Sequence, residues 1–164
     1  MLYSRFGGIL KPEFMKKAIQ LSLVNMRKGE GGPFGAVIVK DGVIIGEGWN
    51  QVTSTKDPSA HAEIVAIRKA CMTIDDFDLS GAEIYASCEP CPMCLSAIYW
   101  ARIGKIYYAN TRQDAANINF DDDFLYQEIS KPMEDRKIPM VQCLHEEALT
   151  VFKEWTSKSD KVAY

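Results

Sequence analysis

A chain of 164 residues, 47% hydrophobic and 25% charged, is long enough for one domain with a real core and too short for two comfortable ones. Its net charge of −3 argues against a protein that grips a phosphate backbone, because lysine and arginine supply each such contact. No apolar run reaches membrane-spanning length, and residues 1–10 lack the apolar stretch of a secretory signal. Composition therefore favours a cytoplasmic globular chain with a small uncharged ligand, and neither a nucleic acid nor a membrane as partner. The five cysteines, three of them at Cys88, Cys91 and Cys94, are an odd and crowded set that fits a reducing compartment better than a disulfide framework.

Pro12 and Glu13 open a helical pattern whose apolar face is Phe14, Met15, Ala18, Ile19, Leu21 and Met26, and Gly29 ends it. Apolar runs at 36–39 and 43–45 flank Lys40-Asp41-Gly42, and Asp-Gly adopts the positive φ angles of a two-residue hairpin. After a polar stretch, Asp57-Pro58-Ser59 supplies a cap and a first-turn proline for a helix over 59–72. A strand at 84–87, a helix at 91–100 introduced by Pro90, and a strand at 105–109 make a βαβ crossover, so this part of the sheet is expected to be parallel. Beyond Asn110 the pattern gives a helix at 122–128, a strand at 140–144 and a helix at 146–158 with a Leu149, Phe152, Trp155 stripe.

Two short motifs stand where the helices open: His61-Ala62-Glu63 and Pro90-Cys91-Pro92-Met93-Cys94. One imidazole and two thiolates fill three corners of a tetrahedral zinc and leave the fourth for water, the arrangement of a catalytic site. Glu63, two residues from a ligand, can take a proton from that water and return it to a substrate nitrogen. His-x-Glu followed by Pro-Cys-x-x-Cys is the signature of zinc-dependent nucleobase deaminases. The rival is a closed structural zinc module in which Cys88 completes the set and Glu63 has no task. Cys71 and Cys143 read as small core fillers, His145 as a surface or capping histidine, and 121–123 as a solvated acidic cluster. Trp100 is a packing residue or an aromatic wall for a planar ligand.

With Gly31-Gly32-Pro33-Phe34-Gly35-Ala36, Asp57-Pro58, Ser87-Cys88-Glu89-Pro90, Ile98-Tyr99-Trp100-Ala101-Arg102, Asp114-Ala115-Ala116 and Phe120-Asp121-Asp122 added to the two motifs, the chain resembles the cytidine-deaminase-like superfamily and, within it, the small bacterial guanine deaminases. The resemblance implies a single three-layer α/β/α domain over 1–164 around a mixed sheet of about five strands. It implies zinc held by His61, Cys91 and Cys94, and hydrolysis of a purine base, guanine, to xanthine and ammonia. Glu63 would pass the water's proton to N3 as hydroxide attacks C2, and Asp114 would serve the departing amine. Asn50 would hydrogen-bond the base, Phe34 lie against its face and Ala62 offer backbone polar groups. Residues 145–164 would cross to a second subunit of a homodimer and place Tyr164 over its pocket. A guanosine or other nucleoside deaminase and a tRNA adenosine deaminase share the zinc residues and remain alternatives.

Overall fold

Proline at a first helical position removes an N–H that would be unpaired anyway, and α1 begins on one, running Pro12–Arg27. The computed structural model describes residues 10–163, which fall into two compact units divided after Asp122. In the first unit β1 (Gly35–Lys40) and β2 (Val43–Trp49) form the expected antiparallel hairpin, with Asp41 at φ 53° and Gly42 at φ 79° in its turn. A one-turn α2 (Val52–Thr55) lies in the polar stretch that follows the hairpin. Next come α3 (Ala62–Ile74), β3 (Glu83–Cys88), α4 (Pro92–Trp100), β4 (Lys105–Asn110) and α5 (Arg112–Ala116).

The sheet has the order β2-β1-β3-β4; β1 is antiparallel to both neighbours, and β3 and β4 are parallel across α4. Successive residues of β1 face opposite sides. Ala36 and Ile38 join Ala62, Ala66 and Ile98 of α3 and α4 in one core, and Val37 and Val39 join Phe14 of α1 and Tyr85 in another. This is the expected α/β/α layering.

The second unit contains α6 (Asp123–Ser130), a 3₁₀ turn (Met133–Asp135) and α7 (His145–Ser157). The expected strand at 140–144 is absent, so the sheet has four strands among the described residues. Its residues are exposed, and Leu144 turns into the left-handed region at φ 50° to enter α7, which ends any extended run. Cys143 is exposed, not in a core as expected, whereas Cys71 packs against the α3/α4 core. No helix of the described residues is long and apolar enough to cross a membrane.

Candidate active site

Asp57 caps a turn, not a helix: its Oδ1 accepts the Ser59 N–H at 2.8 Å and the Ser59 hydroxyl at 2.7 Å. That turn consumes 57–60 and delays α3, so His61 becomes the N-cap, with extended backbone at φ −69° and ψ 158°. Cys91 has the same place and nearly the same backbone before α4, at φ −65° and ψ 168°, with Pro92 as the first helical residue. The sheet sets the two helices side by side. His61 Nδ1 consequently lies 3.6 Å from Cys91 Sγ and 3.5 Å from Cys94 Sγ.

These distances test the metal expectation. Bond lengths of roughly 2.0 Å to nitrogen and 2.3 Å to sulfur put the N···S edges of a tetrahedral zinc at about 3.5 Å. The three donor atoms lie within 4.8 Å of one another, and no fourth member joins them among the described residues. Cys88 does not: its Sγ is directed at the Thr111 carbonyl, 3.5 Å away. The donor set thus fits an ion with an open corner, and the closed structural module loses its fourth ligand.

The electrostatics follow from proximity. The Cys91 thiol is lowered to about 4, first by the hydrogen bond from the Cys94 thiol and then by His61. His61 is correspondingly raised by its bond to Cys91, and Cys94, fully buried beside that sulfur, is raised. Glu63 is buried at the second helical position, and burial is the main cause that raises its carboxyl. Cys88 is pushed up to about 11, again chiefly by burial.

Beside these groups opens a cavity of about 430 Å³. His61, Glu63, Cys88, Cys91, Asn50 and Phe34 all line it, so most of the residues singled out in the sequence meet at one place. Asn50 is oriented by its neighbours: Oδ1 accepts the N–H groups of Gly32 at 3.2 Å and Val52 at 3.3 Å. Only the oxygen can take both donors, which assigns the amide and leaves Nδ2 as the group Asn50 offers to the cavity. Gly31 permits this, since a Cβ there would stand 2.2 Å from the Asn50 carbonyl oxygen.

Three expectations fall elsewhere, and a fourth concerns a residue outside the described ones. Asp114 is exposed and forms a capping box with Thr111, its Oδ2 accepting the Thr111 N–H at 2.8 Å and hydroxyl at 2.7 Å. Those bonds lower its carboxyl, and it does not line the cavity. Trp100 ends α4, is exposed and borders a separate shallow depression with Ser96 and Tyr99. Ala62 is buried in the α3/α4 core between two lining residues and is not itself in the wall. Tyr164 lies outside the described residues.

Phe120, to which the sequence gives no role, and Asp122, expected in a solvated acidic cluster, are both in the cavity wall. Phe120 meets Phe34 edge to face, with centroids 4.9 Å apart at 85°. Asp122 is half-buried; burial, then Cys91, raises its carboxyl, and its charge reaches His61.

A buried carboxyl, a nitrogen and two sulfurs in metal-binding array, and a cavity with an aromatic wall together make a hydrolytic zinc site suited to a heterocycle. Residues 10–110 match the cytidine and deoxycytidylate deaminase zinc-binding region, and the chain belongs to that family. Within it the likeness is to guanine deaminase. The chain is 52% identical over 151 residues to guanine deaminase from Bacillus subtilis, which covers 92% of this chain and 97% of that one. A solved structure of guanine deaminase from Bacillus subtilis superposes with a TM-score of 0.91 at 50% identity, covering 95% of this chain and 99% of that one. The tRNA-specific adenosine deaminase of Aquifex aeolicus is 42% identical over 99 residues, 60% of this chain and 65% of that one.

Proposed function

We propose that this chain catalyses the zinc-dependent hydrolysis of guanine to xanthine and ammonia, as a cytoplasmic homodimer. The observation that carries the reading is the end-to-end extent of the likeness. The match to guanine deaminase runs through 97% of that protein, whereas the match to the Aquifex aeolicus adenosine editor covers 60% of this chain. The five free cysteines fit a reducing cytoplasm.

His61, Cys91 and Cys94 would hold the zinc, which when bound would supply hydroxide at cellular pH by lowering the pKa of water towards neutrality. Glu63 takes the proton of the attacking water and delivers it to N3 of the purine as C2 is attacked. The same carboxyl then helps to protonate the departing amine. Asp122 is the second carboxyl in the cavity wall, and it takes the part for which the sequence suggested Asp114. Asn50 donates from Nδ2 to an acceptor on the base, while Phe34 lies against its face and Phe120, edge to face with Phe34, extends the apolar wall.

The C-terminal part of the reading rests on burial. No residue from 123 to 163 is buried, and α7 exposes Val151, Phe152 and Trp155. A helix with such a face needs a cover, and exchange of residues 145–164 between two copies supplies one, with Tyr164 reaching the partner's cavity.

The test is ammonia release from guanine, guanosine, adenine and cytosine offered side by side. Guanine is expected to be turned over fastest, and equal or faster turnover of guanosine overturns the substrate assignment. Glu63→Ala is expected to keep zinc and fold while losing about 10²–10⁴-fold in kcat. Loss of the metal instead would make Glu63 a ligand.

A further inference from the structure

The loop that carries Cys91 is tied to the Phe120–Asp122 wall through a side chain that the chemistry above does not use. Glu89 stands between β3 and α4. Its backbone N–H donates to the Asn110 carbonyl at 2.8 Å, and its carboxylate Oε2 accepts the Arg112 N–H at 3.0 Å. The Cys88 thiol adds its longer contact to the Thr111 carbonyl, 3.5 Å away.

What these contacts hold is a continuous hydrogen-bonded piece of chain. The Thr111–Asp114 box closes its start, Ala115 is buried at its middle, and at its end the Phe120 N–H returns to the Ala115 carbonyl at 3.0 Å. Asp114 holds this piece to itself, and Glu89 holds it to the metal loop. Phe120 and Asp122 hang from its far end in the cavity wall, so the bond from Arg112 to Glu89 links the loop of Cys91 to the chain that leads to that wall.

We infer that Glu89 is a positioning residue for the deamination, aligning the Phe120–Asp122 wall with the metal ligands through its bond to the Arg112 N–H. The inference rests on the deaminase reading, and its test includes an arm that does not. A displacement of about 1 Å in a reacting array costs on the order of 100-fold. Glu89→Ala is therefore expected to lower kcat for guanine by about 10- to 100-fold with an unchanged zinc-to-protein ratio. Glu89→Gln keeps an oxygen of the same reach without the charge and is expected to stay within about threefold of the parent. Glu89→Asp keeps the charge and loses the reach, and is expected to behave like Ala. Should the Ala variant fail to fold, the Gln and Asp variants decide.

Backbone amide exchange supplies the independent arm. Exchange over 111–122 is expected to accelerate at least tenfold in Glu89→Ala and Glu89→Asp, with 62–74 unchanged and Glu89→Gln like the parent. Gln as damaging as Ala would make the charge itself the active feature. Unchanged exchange over 111–122, or zinc lost from Glu89→Ala, would overturn the inference as well. If the parent protein releases no ammonia from guanine, the deaminase reading fails, and exchange alone decides the role of Glu89.

Discussion

Asn50 shows what a single residue owes to the fold. Its oxygen is committed to Gly32 and Val52, so replacing it by aspartate keeps both backbone bonds and converts the cavity-facing donor into an acceptor. Asn50→Asp is expected to hold its Tm within about 3 °C of the parent. Its kcat/KM for guanine is expected to fall about 100-fold or more, about 2.7 kcal/mol of lost transition-state binding. A protein that melts much earlier yet binds guanine normally would assign Asn50 to the scaffold. His61, Glu63, Cys91 and Cys94 were legible in the sequence because each motif is short and each fixes its side chains relative to one helix start. Asp122 and Phe120 have no such local signature; they reach the cavity through tertiary packing after α5. Asp114 was misplaced although Thr111-Arg112-Gln113-Asp114 carries the capping-box pattern, and that local hydrogen bonding won.

At the scale of elements, β2 and α3 approach with no side chain between them at two points. A Cβ on Gly48 would stand 2.0 Å from the Ala62 carbonyl oxygen, and one on Gly46 would stand 2.4 Å from that of Ala66. Ala62, Ala66 and Ala70 recur every four residues and offer the sheet a smooth stripe. Because Ala62 lies between His61 and Glu63, this contact also sets the height of the metal nitrogen above the sheet. Gly48→Ala is expected to cost about 1–3 kcal/mol through overpacking and to weaken zinc affinity along with stability, read by thermal unfolding and chelator competition. Stability lost with zinc affinity intact would separate the helix contact from the site. The hairpin and the β3-α4-β4 crossover were readable because turn residues and hydrophobic period agreed there. The start of α3 was read three residues early because Asp57 and Ser59 suit a turn as well as a cap. The strand expected at 140–144 failed because an apolar run without a sheet neighbour carries no period that separates strand from loop.

For the molecule as a whole, the contrast between the units bears on assembly. The first unit buries two clusters on the faces of its sheet, whereas residues 123–163 bury none and leave Phe124, Ile129, Val151 and Phe152 exposed. The proposed exchange would cover apolar surface of this kind, and an exchanged tail has a consequence that a tail closing its own site does not share. On the proposed exchange, a chain lacking 162–164 would keep its metal and Glu63 but could not close its partner's cavity, and a Glu63→Ala chain would keep the tail but could not move the proton. Each alone is expected to be nearly inactive on guanine. After mixing under conditions that let subunits exchange, heterodimers would on that proposal place an intact tail over an intact site. Activity is then expected to reappear at up to about half the parent's rate per heterodimer, one competent cavity in two. Sedimentation should report a dimer throughout. Mixtures that remain silent although heterodimers form would show that each tail serves its own chain.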